Sequence, residues 1–517
     1  MKKIVCLILT LTFVLSAFAF AGCGKKTAGS GEKKETNIAR TDIKIVDDGE
    51  TDYSVVIPLK ASAHINTAAA ELVNFVKEAT GAGLEIKTDG ETFSEDLKVI
   101  SLGNTTLFES SGLKLTDKLG ETGYVMKRRG NALLINAKDD NGVISAVYDM
   151  LGYALGLEFY SYDEYALDKT KDLYLFDFDT EFVPSTDMRD IMMRSLTTQY
   201  RQRMRLYTGA GLGHWITFAH TVTGASSISS MGNDLYGFLP YSVYGKAHKD
   251  WYDSTHTQVC YSNAEMRAEM VEQIKLRIAK NPDGKYLMIG HEDNFDMCEC
   301  DNCVKERELY GGYGGQELNF TNLVAEAVDK WLADAYPGRE IFYVFFAYQT
   351  SREPPVKRQT VNGKEVAVKD KDGRCVPHYE NLKIRKNVMV MYCPIDADFS
   401  LGYSENENGT QYSQLKGWSD LFYKQGLHDN IIVWGYSLAV MNYFIPLYNF
   451  GTFSAHYRFY EECGVHYIDD QSYASSGIPC FEALQIYVQS KLMYDTSLNY
   501  NDLAYDFIDH YYGEAGG

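Results

Sequence analysis

The chain has 517 residues, 45% hydrophobic and 23% charged, so it is too long for one small binding module and too apolar for a mostly disordered polymer. With 50 Lys and Arg against 70 Asp and Glu, its formal net charge of -20 repels nucleic-acid backbones and anionic membrane surfaces, excluding both as main partners. The 39 Tyr, 25 Phe and 5 Trp offer flat faces that grip sugar rings as readily as they fill ordinary cores, so carbohydrate is the partner class the composition suits.

Lys2-Lys3 precede an apolar run over 4–20 that is short for a membrane span and leads into Phe20-Ala21-Gly22-Cys23. This is the layout of a secretory signal over 1–23. Its ending resembles a bacterial lipobox with Phe20 where Leu is usual, which implies cleavage before Cys23 and lipidation of its thiol; a plain signal peptide cut elsewhere is the alternative. Residues 24–40 are mainly Gly, Ser, Lys, Thr and Glu with little to bury, and read as a flexible tether. The expected location is extracytoplasmic, with the membrane touched only through the lipid anchor.

Residues 41–183 read as a small α/β domain. Strands are expected at 52–58, 98–102, 124–128 and 132–137, with Gly130-Asn131 turning between the last two. A helix over 67–80 puts Ala68, Leu72, Phe75, Val76 and Ala79 on one face before Gly81 closes it. A second over 143–155 buries Val143, Val147, Met150, Leu151 and Ala154. An alternating stretch at 172–178 leads to the boundary Val183-Pro184.

Over 184–478, short apolar runs alternate with long amphipathic segments, the rhythm of parallel strands with helical crossovers. In the clearest unit Ser262 and Glu265 have capping-box spacing, Met266, Met270, Ile274 and Ile278 recur every four residues, and Pro282-Asp283-Gly284 turns into a strand at 286–289. Strands at 191–194, 215–218, 341–346, 388–392, 431–434 and 465–468 bring the number to seven, with helices at 318–332, 411–423 and 452–463 between them. An eighth is sought in the irregular segment 224–258. Eight would close a (β/α)8 TIM-type barrel, for which an open doubly wound sheet is the rival. Residues 479–517 carry two C-terminal helices.

In such a barrel the catalytic groups lie just past the C-terminal ends of the strands. Gly290-His291-Glu292-Asp293-Asn294 follows one run; Tyr348, the pair Asp396 and Asp398, the pair Trp434 and Tyr436, and Asp469-Asp470-Gln471 follow others. Glycosidic cleavage needs this inventory, since one carboxylic acid protonates the leaving oxygen while another carboxylate activates water or attacks the anomeric carbon. Neighbours on an extended stretch point opposite ways, so one of Glu292 and Asp293 faces the pocket: Asp293 is the expected acid, Glu292 the runner-up, and Asp396 or Asp470 the partner. His220, His291, Asn294, Tyr348, Trp434 and Tyr436 are the expected substrate contacts. Taken singly, each acid reads equally as a solvated loop charge or helix cap, and each His as a packing residue.

Cys298, Cys300 and Cys303 form a C-x-C-x-x-C motif. With Cys260 they could make a structural tetrahedral zinc site, or two disulfides could pin the loop carrying Asp293. No other cofactor is called for. The sequence has no P-loop, dinucleotide glycine fingerprint or Gly-x-Ser-x-Gly elbow, which leaves phosphoryl transfer, hydride transfer and serine hydrolysis without support.

These motifs, together with Gln258-Val259-Cys260-Tyr261-Ser262-Asn263, Tyr336-Pro337-Gly338, Ala347-Tyr348-Gln349-Thr350, Tyr487-Val488-Gln489-Ser490-Lys491 and the stretch 507–513, resemble the bacterial secreted proteins grouped as domain of unknown function 4838. The front segment, with Asp140-Asn141-Gly142-Val143 and Leu155-Gly156-Leu157-Glu158-Phe159-Tyr160, is similar to the domain preceding the barrel in α-glucuronidases and β-hexosaminidases. The resemblance implies a cell-surface glycoside hydrolase-like lipoprotein acting on a polysaccharide or oligosaccharide, with uronic-acid and hexosamine sugars as the leading classes. Hexosaminidases often place an Asp-Glu pair after a barrel strand, whereas here the order is Glu292-Asp293. Relatives tend to continue as helices beyond the point where this sequence reads Gly513-Glu514-Ala515-Gly516-Gly517, so a truncated copy is expected. The alternatives are a non-catalytic glycan-binding lipoprotein, which keeps the aromatics without a second carboxylate, and a surface scaffold, which needs neither.

Overall fold

Val55, Val56 and Ile57 are buried on both faces of β1 (Ser54–Ile57), which is why the strand reads as an unbroken apolar run. The structure, a computed structural model, describes residues 38–207, 214–225, 237–403, 409–438, 447, 449–472 and 480–516. The expected signal, Cys23 and the tether up to residue 37 lie outside the described residues. No described helix is long and apolar enough to cross a membrane.

β1 belongs to a six-stranded sheet with β2 (Glu85–Thr88), β3 (Val99–Leu102), β4 (Tyr124–Arg129), β5 (Ala132–Ala137) and β6 (Asp179–Phe182), in the order β6-β4-β5-β3-β1-β2. The β6–β4 and β4–β5 pairs are antiparallel and the others parallel. Two helices, α1 (Ala63–Thr80) and α2 (Asp140–Leu155), pack together beside it. Gly81, at φ 87, ends α1 in the left-handed region where a glycine is unstrained. The expected strands and helices of this part are present with ends shifted by a few residues. β2 and β6 were not anticipated: all four residues of β2 are exposed and β6 is at most half-buried, so neither has an apolar pattern to read.

The second sheet holds seven parallel strands: β7 (Met188–Met192), β8 (Trp215–Thr217), β9 (Tyr286–Met288), β10 (Phe342–Ala347), β11 (Val388–Tyr392), β12 (Ile431–Tyr436) and β13 (Val465–Gln471). Their order is β7-β13-β12-β11-β10-β9-β8, so the first strand lies beside the last. In a flat sheet β8 would stand roughly 19 Å from β12 and roughly 24 Å from β13. Instead Phe218, just past β8, stacks on Trp434 of β12 at 5.2 Å, and the Trp215 and Tyr467 rings lie 6.3 Å apart. The sheet therefore curls round an interior filled by Trp215, Tyr286, Met288, Val344, Phe346, Met391, Trp434 and Tyr467.

That winding disposes of the open doubly wound alternative, but the eighth strand is not found. The described parts of the expected segment, 224–225 and 237–258, contain short helical turns at Tyr241–Tyr244 and Lys249–Trp251 and an isolated bridge from Tyr252 to Val259 but no strand, and β7 and β8 are not paired among the described residues. The architecture is a curled seven-stranded parallel half-barrel rather than a demonstrated (β/α)8 closure.

Alternate strand residues point away from the interior toward the helices. The Tyr343 hydroxyl donates to Asp329 of α5 (Tyr313–Ala335) at 2.9 Å, and Tyr392 donates to the Gln411 carbonyl of α6 (Gly409–Lys424) at 3.1 Å. Between β8 and β10 come α3 (Ala264–Lys280) and α4 (Asp301–Tyr310), and α7 (Phe453–Glu462) precedes β13. Two C-terminal helices, α8 (Glu482–Tyr494) and α9 (Tyr500–Tyr512), follow as expected. The cap of α3 is Asn263, whose side chain accepts from the Met266 N–H at 2.9 Å; the Ser262 hydroxyl faces the cysteines instead of closing the expected capping box.

Candidate active site

The acidic stretch begins where β9 meets the loop after β8. Gly290 accepts at its carbonyl from the Thr221 and Val222 N–H groups, at 2.9 and 3.1 Å. A Cβ there would come 2.3 Å from the Ala219 carbonyl oxygen and 2.7 Å from the Phe346 ring, so only glycine lets the two chains approach this closely. From this fixed point the chain runs through two buried residues before it reaches the surface. His291 is fully buried, its Nδ1 3.0 Å from Glu317 Oε1 of α5, a packed position below the surface rather than the rim position expected of a substrate contact. Glu292 is fully buried too: its Oε1 accepts from the Thr223 and Gly224 N–H groups at 2.8 and 2.7 Å, while Gln258 brackets its backbone, accepting from the N–H at 3.0 Å and donating to the carbonyl at 3.1 Å. It sits beneath the rim as a brace. Asp293, one residue on, is exposed.

Asp293 Oδ1 accepts from the Tyr348 hydroxyl at 2.9 Å and the Gln349 amide at 3.1 Å. Both donors come from the loop after β10, where Gln349 holds φ 46, a left-handed conformation that aims its side chain at the carboxylate. Burial, and then the negative charge of Asp293, push the Tyr348 hydroxyl well above the usual phenol range, so it stays a donor. Half-buried His220 places Nδ1 2.5 Å from the His291 carbonyl; a carbonyl can only accept, so Nδ1 carries the hydrogen. Burial lowers the His220 pKa, and in the neutral ring Nε2 is left as an acceptor. Tyr436 ionises far less readily than a free phenol because of burial, then the neighbouring Cys393, Tyr348 and Asp293, which puts it in the same neighbourhood. Trp434 donates its indole N–H to Gln471 Oε1 at 3.2 Å.

The other expected residues are placed differently. Asn294 spends its amide on the loop, accepting from Gln258 at 2.9 Å and donating to Thr257 at 3.0 Å, which leaves it a scaffold role. Asp470 points out of the interior: Ser472 donates to its Oδ1 at 3.1 Å and Tyr457 of α7 to its Oδ2 at 3.3 Å. It is the odd-numbered residues of β13 that face inward, with Tyr467 in the interior cluster, so the partner role expected of Asp470 has no geometric basis. Asp396 is exposed and clamped by the Arg352 guanidinium, Nη2 lying 2.7 Å from Oδ2, with the Gln411 amide 3.1 Å from Oδ1. Burial works to raise its pKa, but the Arg352 and Gln411 hydrogen bonds prevail and hold it below the usual carboxylate range. One short loop, 348–352, thus holds both Asp293 and Asp396.

Sequence reasoning missed a carboxyl pair. Asp469 of β13 lies directly opposite Asp190 of β7 in the parallel register, and Arg201 Nε donates to Asp190 at 2.9 Å. Burial, then the charges of Asp190 and Asp470, raise the Asp469 pKa well above the carboxylate range. A folded pKa above the unfolded one means stability that is complete below the unfolded value of about 3.9 and is lost as pH rises through the folded value. Asp469→Asn removes that loss, so its Tm should exceed that of wild type at pH 7, and the gap should narrow as the buffer approaches pH 4. Thermal unfolding across pH checks this; a gap independent of pH would refute it.

Farther along the Asp293 loop, the sulfurs of Cys260, Cys298, Cys300 and Cys303 lie within 4.8 Å of one another. A separate small pocket, lined in part by Arg189, Arg205 and Tyr207, lies by the start of β7, at the opposite strand end from Asp293.

Residues 159–369 and 377–517 match the family model described as domain of unknown function (DUF4838), and residues 46–150 match the glycosyl hydrolase family 67 N-terminus. No curated protein matches the sequence. Among solved structures, the chain is similar to the β-N-acetylhexosaminidase from Bacteroides fragilis NCTC 9343, with TM-score 0.44, 11% identity, 93% of this chain and 94% of that one covered. It is also similar to the GH20 β-N-acetylhexosaminidase from Streptomyces coelicolor A3(2), with TM-score 0.43, 11% identity and 91% and 92% covered.

Proposed function

Since the chain belongs to the DUF4838 family and carries a glycosyl hydrolase family 67 N-terminal segment, we propose that it hydrolyses a glycosidic bond in a polysaccharide or oligosaccharide, with Asp293 as its acid. The observation that carries this reading is the exposed Asp293 carboxylate, held through one oxygen by Tyr348 and Gln349 at the C-terminal end of β9. Protonated, Asp293 gives its hydrogen to the leaving oxygen as the anomeric C–O bond breaks; a second carboxylate takes a proton from the attacking water or bonds to the anomeric carbon itself. Of the two partners the sequence suggests, Asp396 is the better supported, because its environment keeps it ionised and the same loop anchors it. Tyr436, Trp434 and the His220 Nε2 acceptor complete the rim that receives the sugar.

One observation favours a second reading. Arg352 engages both Asp396 oxygens, which a base or nucleophile must release, and a non-catalytic glycan-binding protein needs no second carboxylate. A panel of aryl glycosides and uronic-acid or hexosamine oligosaccharides separates the two. Turnover of any member supports hydrolysis, whereas saturable binding by calorimetry without turnover supports the binding protein and defeats the enzyme.

The same proposal puts the protein outside the cytoplasm, held by a lipid on Cys23, on the strength of the amino-terminal pattern. Cys23→Ser should move it from the membrane fraction to the soluble one. A wild type already soluble would refute the anchor.

A further inference from the structure

We propose that Cys260, Cys298, Cys300 and Cys303 form a structural zinc site that fixes the loop carrying Asp293. Cys260 Sγ lies 3.7 Å from Cys300 Sγ and 3.7 Å from Cys303 Sγ. A tetrahedral centre with metal–sulfur bonds of about 2.3 Å spaces its four sulfurs about 3.8 Å apart. A disulfide would bring one pair to about 2.05 Å and leave the other sulfurs elsewhere. Here one sulfur is equidistant from two others, all four converge, and all four cysteines are free thiols.

The surroundings suit a metal thiolate. Cys260, Cys298 and Cys303 are buried, and they form a cluster by themselves rather than joining the apolar core. Cys300 caps α4 and Cys303 lies in its first turn, where the helix dipole favours negative sulfur. The Ser262 hydroxyl lies 3.3, 3.5 and 3.3 Å from the sulfurs of Cys260, Cys300 and Cys303, the outer hydrogen bond that such ligands take. Arg307, ion-paired with Glu299, donates to the Cys298 carbonyl at 2.8 Å and fixes that backbone next to the site. On binding, four thiols release four protons to solvent and the divalent ion holds four thiolates, for a net site charge of about -2. With four protein ligands, no coordination position is left for substrate, so the ion is structural.

Its effect follows from what it joins. Cys260 stands two residues after Gln258, whose amide holds the backbone of Glu292 and the side chain of Asn294. Cys298 stands five residues after Asp293. The ion therefore ties the far end of the acidic loop to the segment that already braces its near end.

Full-length protein purified without chelator should contain about one zinc per chain by elemental analysis, and Cys298→Ser or Cys303→Ser should lower that to under about a tenth. Cobalt exchanged into the wild type should give the sulfur-to-cobalt charge-transfer bands and intense visible absorption of a tetrahedral thiolate site. Should the variants fail to fold, chelation of the wild type provides the second measure: four thiols become reactive as zinc is released. Disulfides among these cysteines in non-reducing peptide maps, zinc content unchanged in both variants, or no bound zinc or cobalt in the wild type would each overturn the site. None of these readouts depends on glycoside turnover.

Discussion

Asp293→Asn should lower kcat on any glycoside the wild type turns over by about 10²- to 10⁴-fold, the usual worth of a positioned general acid. The substitution nearly conserves shape, and the retained oxygen can still accept from Tyr348 and Gln349, so Tm should stay within error of wild type. What is lost is the capacity to hold and deliver a proton. Two readouts separate this from a packing defect: the limb of the pH–rate profile set by the acid should disappear, and the variant's calorimetric affinity for an oligosaccharide that the wild type turns over should persist. Substrates with good leaving groups, which need little protonation, should suffer least. A variant that keeps more than about half of wild-type turnover would remove Asp293 from the chemistry.

Much of this arrangement is legible in the sequence because parallel strands buried on both faces carry runs of apolar residues rather than an alternation. All seven strands of the parallel sheet overlap the expected runs, the first only at residues 191 and 192, and Val388–Tyr392 is read to the residue. The same property hides which way each side chain points. Tyr467 and Ile468 are both apolar and both fully buried, so nothing in the letters marks Tyr467 as the inward one, and the choice between Asp469 and Asp470 turns on that parity. Asp190 is hidden for a related reason: the apolar run begins at Ile191, and the inward face of Asp190 is defined only by pairing with a strand about 280 residues away. At Glu292 and Asp293 the alternation argument could say that one faces out but not which, since the answer rests on the backbone amides of residues 223 and 224, far off in sequence. The Arg352 clamp on Asp396 is equally a tertiary fact.

Glu292→Ala supplies the converse experiment, with its large effect on stability. The Glu292 carboxylate is wholly inside the protein and receives two backbone N–H groups, from buried Thr223 and half-buried Gly224. Hydrogen bonds to a charged group are each worth about 1.5–3 kcal/mol, and removing the acceptor leaves the buried Thr223 donor unpaired and the Gly224 donor without this partner, so a loss of about 3–5 kcal/mol is expected in the unfolding free energy from denaturant titration. Glu292→Gln keeps an oxygen in place for the two amides and should lose less than half as much. The effect on rate should follow the brace: Glu292→Gln, with the loop still held, should stay within about tenfold of wild-type kcat, far above Asp293→Asn. If instead Glu292→Gln were stable and as inactive as Asp293→Asn, the buried carboxyl group would be the acid, and the loop would have to open for each turnover.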